Sequence, residues 1–171
     1  MSDLAYWIGF NLVKGIGPTR LKSLIEVCGS VQAAWQANEN QLIKAGLDRR
    51  TRRHFLQRRT EIDLSEEVAK LKKKKVKTLT WDSPTYPFLL QQIAAPPPLI
   101  YLHGEITPTD QTAVAIVGTR RLTGYGRQIA KDLATGLAAN GVTVVSGLAR
   151  GIDAVAHQAA LDAGGRTIAV L

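Results

Sequence analysis

Apolar residues recur at helical spacing through residues 1–75. Leu4, Trp7, Ile8, Leu12 and Val13 mark a first amphipathic face, which Gly15-Ile16-Gly17-Pro18 interrupts. Pro18 suits the first turn of a second helix, with Leu21, Leu24, Ile25 and Cys28 inside and Gly29 as its stop. Ser30 caps a short helix carrying Val31, Ala34 and Trp35, and Asn38 or Asn40 opens a small turn with Leu42 and Ile43. Asp48 caps a basic helix from Arg49 to Arg59. A last helix buries Ile62, Leu64, Val68 and Leu71, and places Lys72 to Lys75 where positive charge complements the helix dipole.

The pattern changes at Val76. Residues 76–81 alternate as a strand does, Asp82-Ser83-Pro84 turns, and Pro87 to Ile93 supplies a helical turn or two. Pro96-Pro97-Pro98 is a stiff extended connector before a short strand from Leu99 to Leu102, and a loop runs from Gly104 to Asp110. Buried strands and helices then alternate. Residues 113–117, 142–145 and 167–171 read as strands. Gly124 to Asn140 is a helix with Ile129, Leu133 and Leu137 on one side, and Ile152 to Ala163 is another. This order predicts βαβαβ and a parallel sheet. The expected architecture is α/β: a small helical domain over 1–75, then an incomplete Rossmann-like parallel sheet over 76–171. With no helix after its third strand, the chain reads as part of a longer protein.

Charge divides the chain along the same line. Residues 1–75 hold 15 Lys and Arg against 8 Asp and Glu, and residues 76–171 hold 7 against 6, within a net charge of +8. A polyanionic partner near the helical part fits this asymmetry, as does a basic solvated surface. No apolar run approaches the length of a membrane span, and Met1-Ser2-Asp3-Leu4 starts no signal peptide. The single cysteine, Cys28, excludes an internal disulfide and a thiolate metal cage and reads as a structural thiol. A cytosolic protein is the expectation, with no metal and no cofactor.

Ligands of open parallel sheets bind outside the carboxyl ends of the strands. Two loops fall there: Gly118-Thr119-Arg120-Arg121-Leu122-Thr123-Gly124-Tyr125-Gly126, and Ser146-Gly147-Leu148-Ala149-Arg150-Gly151-Ile152-Asp153. Both are glycine-rich and basic, and both lead into a helix, so exposed N–H groups and guanidinium groups converge on an anion. Gly118, Thr119, Arg120, Arg121, Gly147, Arg150 and Gly151 are therefore candidate phosphate-binding residues. The glycine spacing is not that of a nicotinamide site, the second strand ends in Ser146-Gly147 without a ribose-binding acid, and no Gly-Lys-Ser/Thr marks a P-loop. The plainer alternative is that the glycines only permit tight strand-to-helix turns. Asp153 and His157 share a helical face, either as an acid–base pair or as local packing.

In the helical part, Leu12-Val13-Lys14-Gly15-Ile16-Gly17-Pro18 is similar to the turn of helix-hairpin-helix modules, which makes Lys14, Gly15 and Gly17 a candidate second DNA contact. A plain helix–helix turn is the alternative. The arginines at 49, 50, 52, 53, 58 and 59 cover most of their helix circumference, which favours a solvated face.

Ala115-Ile116-Val117-Gly118-Thr119-Arg120, Tyr125-Gly126, residues 146–153 with Ala156-His157, and Gly165-Arg166-Thr167-Ile168-Ala169-Val170-Leu171 resemble the DNA processing protein A (DprA/Smf) family, as do Tyr86-Pro87, residues 98–101 and Gly104. The helical part resembles that family's sterile-alpha-motif-like or helix-hairpin-helix-like domain. The resemblance implies a single-stranded DNA-binding protein without enzymatic activity, which protects incoming DNA and assists RecA loading in natural transformation. It implies a homodimer in the full-length protein and a DNA site at the sheet edge just described. Two other readings stand beside it: a nucleotide-hydrolysing Rossmann-like enzyme and a protein-interaction module that binds no DNA.

Overall fold

The computed structural model describes residues 3–171. Met1 and Ser2, on which the reading of the amino terminus partly rests, lie outside the described residues. Two compact units divide after Glu105, the second being Ile106–Leu171.

Six helices begin the first unit: α1 (Asp3–Asn11), α2 (Pro18–Cys28), α3 (Val31–Trp35), α4 (Glu39–Lys44), α5 (Arg49–Glu61) and α6 (Leu64–Lys73). Their starts follow from capping chemistry. Pro18 opens α2, and the Ser30 hydroxyl accepts from the Ala33 N–H at 3.0 Å. Asn38 and Gln41 exchange side-chain-to-backbone bonds in a reciprocal capping box, both at 3.0 Å. Asp48 accepts from the Thr51 N–H at 2.9 Å, and Asp63 from those of Ser65 and Glu66. Each such cap stabilises its helix by about 1 kcal/mol.

The core of this unit is aromatic. Phe10 stacks on Phe55 with ring centroids 5.4 Å apart, and both meet Trp35 edge-on. Such pairs contribute about 0.5–1.5 kcal/mol beyond the area they bury. Leu21, Leu24 and Leu42 complete the centre. Cys28 is only half-buried against this core, and burial pushes its thiol pKa up, which suits an inert packing group.

Packing draws the boundary elsewhere than the change of texture at Val76. Strands β1 (Lys77–Thr80) and β2 (Leu99–Leu102) pair antiparallel, in a ribbon separate from the parallel sheet. The one-turn helix α7 (Phe88–Gln91) lies between them in sequence. Leu99 is part of the helical core, Trp81 meets Trp7 edge-on at 5.5 Å, and the Asn11 amide donates to the Tyr101 hydroxyl at 3.2 Å. Residues 76–105 therefore complete the first unit.

The second unit is the expected βαβαβ: β3 (Ala113–Ala115), α8 (Gly124–Ala139), β4 (Thr143–Ser146), α9 (Ile152–Asp162) and β5 (Thr167–Ala169). The strands are parallel in the order β3-β4-β5, so β4 is central. A short 3-10 turn, Pro108–Gln111, precedes β3. It supplies Asp110, which the Arg166 guanidinium grips through both carboxylate oxygens at 2.6 and 2.9 Å while the Thr143 hydroxyl donates to it at 2.9 Å. These partners hold the Asp110 carboxyl down at a pKa of about 2.

Two sequence expectations fail in this unit. The first strand is not buried, because β3 is an edge strand and all three of its residues are exposed. Of the three large residues on one side of α8, only Leu137 packs against the core, partly buried. Ile129 and Leu133 are 41% and 55% exposed, and Ala130, Ala134 and Ala138 are buried instead. The reason is close approach: Ala134 and Ala138 pack with Ala156, Ala159 and Ala160 of α9, and a Cβ on Gly165 would lie 2.5 Å from that of Ala138. Larger side chains do not fit between the two helices.

Candidate functional site

The sheet hydrogen bonds run on past the strands to the two loops. Ile116 N–H donates to the Val145 carbonyl at 2.9 Å, the Ser146 hydroxyl to the Ile116 carbonyl at 2.6 Å, and Val170 N–H to the Ser146 carbonyl at 2.9 Å. Both loops thus leave the same carboxyl edge from fixed points.

Beyond the edge they lock together through backbone. Ile152 N–H donates to the Thr119 carbonyl at 3.2 Å. Gly151 has φ +94° and ψ −130°, and a Cβ there would lie 2.2 Å from the Thr119 oxygen and 2.7 Å from the Arg120 Cα. Only glycine allows that approach. Gly118 faces Ile152 in the same way, since its Cβ would meet Ile152 Cγ1 at 2.7 Å. A Cβ on Gly147 would meet the Asp153 carboxylate at 2.9 Å. Leu148, the next residue, is exposed and held at φ +55°, a conformation a non-glycine residue adopts only under constraint. Gly151 therefore lets the two loops meet backbone to backbone, while Gly118 leaves room for the Ile152 side chain and Gly147 for the Asp153 carboxylate within its own loop.

This lock presents the arginines. Arg120, Arg121 and Arg150 are all exposed, and none has a side-chain hydrogen bond or ion pair among the described residues. Unpaired guanidinium groups on a rigid loop pair are poised for an anion at little ordering cost. Thr119 departs from its expected role. Its hydroxyl accepts from Arg121 N–H at 3.1 Å and donates to the Arg121 carbonyl at 3.3 Å, so it shapes its own loop while the residue stays exposed. Thr123 caps α8 through a bond from Gly126 N–H at 3.1 Å.

Tyr125 was not among the site residues read from the sequence. It is the second residue of α8 and 78% exposed, the most open aromatic ring at this edge. The signal available in the sequence was an aromatic residue between two glycines at a helix start, where neither neighbour can cover it.

Asp153 and His157 are buried but turned to different partners. The Asp153 carboxylate accepts from Ala149 N–H at 3.4 Å and braces the second loop. His157 Nδ1 lies 2.6 Å from the Thr167 hydroxyl, which donates its proton to the Val144 carbonyl at 2.7 Å. Nδ1 must then carry the proton, and Nε2 is left buried without a partner among the described residues. The pair ties α9 to its loop and to β5. Among the described residues, no cluster of His, Cys, Asp and Glu could hold a metal, and no helix is long and apolar enough to cross a membrane.

At the hairpin, Lys14, Gly15 and Gly17 are exposed, and Gly15 has φ +96°. The Arg20 guanidinium clamps this turn to α5. It donates to the Gly15 carbonyl at 2.7 Å, the Thr51 hydroxyl at 3.0 Å and the Asp48 carboxylate at 2.8 Å.

Residues 77–171 match the family described as DNA recombination-mediator protein A. Protein Smf of Synechocystis is 36% identical over 175 residues, spanning 99% of this chain and 44% of that protein. DNA processing protein DprA of Bacillus subtilis is 37% identical over 109 residues, which cover 63% of this chain and 37% of that one. The X-ray structure of DNA processing protein A from Streptococcus pneumoniae superposes with a TM-score of 0.74 at 27% identity, over 99% of this chain and 57% of that one. The chain thus spans about half or less of the length of these relatives.

Proposed function

Because this chain belongs to the DNA recombination-mediator protein A family, we propose that it binds single-stranded DNA at the carboxyl edge of its parallel sheet. The observation that carries the reading is the backbone lock between the loops, which holds Arg120, Arg121 and Arg150 unpaired on one edge. Phosphate oxygens accept from the guanidinium groups and from the N–H groups at the start of α8. Tyr125 favours a single strand over a duplex, because an exposed ring can stack only on a base that is itself unstacked. Gly118 and Gly151 act by letting the loops close, Gly147 by leaving room for the Asp153 carboxylate, and Thr119 by shaping the first loop.

In the full-length protein this site would protect incoming strands and pass them to RecA during natural transformation, with the protein acting as a homodimer and without catalysis. Titrating a labelled oligonucleotide at two salt concentrations tests the binding step. Single strands should bind more tightly than duplex, and affinity should fall as salt rises. Equal affinity at low and high salt overturns the reading. Release of a free base or of ribose 5-phosphate from a nucleotide would restore the enzymatic alternative.

A further inference from the structure

The arginine-rich helix α5 does not present a uniformly basic surface. Three of its arginines are engaged. Arg52 donates to the Leu47 carbonyl at 2.7 Å, and Arg58 pairs with Glu61 at 2.6 Å. Arg59 lies over the Phe55 ring and donates to the carbonyls of Trp35 and Ala37. Arg49, Arg50 and Arg53 are exposed and have no hydrogen bond or ion pair among the described residues. Helical spacing gathers positions 49, 50 and 53 on one side, opposite the buried Thr51 and Phe55. Shallow grooves flank Arg50 and Arg53, and Lys14 and Gly15 of the clamped hairpin line one of them. Lys14 is also exposed and has no hydrogen bond or ion pair among the described residues.

One carboxylate lines each groove, Glu39 beside Arg49, Arg50 and Arg53 and Asp48 beside Lys14, Arg50 and Arg53, so basic groups outnumber acidic ones in both. Asp48 is held by Arg20 at 2.8 Å, and Glu39 lies 3.6 Å from Arg52. Arg49 and Arg50 stand in the first turn of α5, which contains no acidic residue. Positive charge there opposes the helix dipole, so these arginines work against the stability of their own helix. A local rule broken without a visible structural gain is the mark of a residue kept for a ligand.

We propose that this groove is a second nucleic-acid site, which takes the phosphodiester backbone of duplex DNA. Four unpaired cations on a rigid base match a dense line of phosphates, and duplex carries one charge per ~1.7 Å of its axis. No Phe, Tyr or Trp lines either groove, the unit's central rings Phe10, Trp35 and Phe55 are buried, and the half-buried imidazole of His54 is the single ring among the lining residues, so the surface is a poor stacking platform for the bases of a single strand. The contact is sequence-independent, because nothing at the groove reaches base edges with a fixed donor pattern. This site is independent of the single-strand reading at the sheet edge, and either can fail alone.

The test compares three forms of the 171-residue chain: unmodified, Arg50→Ala/Arg53→Ala, and a charge-matched control, Arg58→Ala/Lys70→Ala, whose residues are already paired with glutamates. Each is titrated with a short mixed-sequence duplex, with oligo-dT of the same length, and with poly-glutamate, at several salt concentrations. For Arg50→Ala/Arg53→Ala, duplex affinity at low salt should fall about tenfold or more, and the log–log salt slope should become shallower by about 0.9 per arginine removed. Oligo-dT affinity should hold. The thermal midpoint should stay or rise, because one charge opposing the dipole, that of Arg50, has gone. Unchanged duplex affinity overturns the proposal, and so does an equal loss in the control or a parallel loss of oligo-dT. Poly-glutamate displacing duplex at equal charge would assign the groove to an acidic protein and overturn it as well.

Discussion

Replacing Gly151 with alanine separates a loop pair that is locked by backbone from one that merely lies close. The native φ of +94° with ψ −130° is a conformation for glycine alone, and forcing an L residue into it costs about 1–3 kcal/mol. The added methyl would also lie 2.2 Å from the Thr119 oxygen and 2.7 Å from the Arg120 Cα. Those atoms are backbone and cannot swing aside, so the first loop must retreat. Retreat breaks the Ile152-to-Thr119 hydrogen bond, a further loss of about 1 kcal/mol. The sum is about 3 kcal/mol. All three tryptophans, Trp7, Trp35 and Trp81, precede Glu105, so fluorescence follows the first unit and the assay must be amide hydrogen exchange in β4 and α9. Globally protected amides there should exchange about a hundredfold faster. Oligo-dT affinity should fall at least tenfold, since Arg120 moves with its backbone. Gly124→Ala is the control: nothing lies within 4 Å of its added Cβ, and the change should stay within about 0.5 kcal/mol. Wild-type exchange and affinity in Gly151→Ala would refute the lock.

Arg120→Ala should weaken oligo-dT binding by about 1–3 kcal/mol and make the salt slope shallower by about 0.7, with stability unchanged, because the side chain has no partner to lose; unchanged affinity removes it from the site. Tyr125→Ala should lose about 1–3 kcal/mol of single-strand binding with little change in salt slope, as stacking carries no counterion term; a loss that scales with salt would contradict stacking. Asp110→Asn should destabilise the second unit by about 2 kcal/mol at neutral pH, because the folded carboxyl sits at about 2 against an ordinary 3.8. A depressed carboxylate pKa contributes stability that is complete above about pH 4 and is lost as pH falls through 2, so the gap between the two proteins should close over that window; a constant gap in β4 exchange would refute the assignment.

Element positions were legible because their causes are local. Pro18, Ser30, Asn38 and Asp48 start helices through their own side chains and ring geometry, whatever lies beyond them in the chain. The parallel sheet followed from apolar runs alternating with helices, and its order sends both glycine-rich loops to one edge. Candidate chemistry was legible to the same depth: basic loops at helix starts, with glycines between them. Which side of a helix is inside was not. In α8 Ile129 and Leu133 lie exposed while Ala134 and Ala138 are buried, because two helices pressed together select alanines, and that choice belongs to the partner helix. In α5 six arginines look alike in sequence, and only Trp35, Ala37, Leu47 and Glu61 decide which three are taken. The exposure of Tyr125 and the pairing of β1 with β2 on the helical unit have the same origin. Caps and turns act over a few residues and are written in the order of the chain. Close contact between segments far apart in sequence depends on the shapes of both, and only the folded chain brings those shapes together.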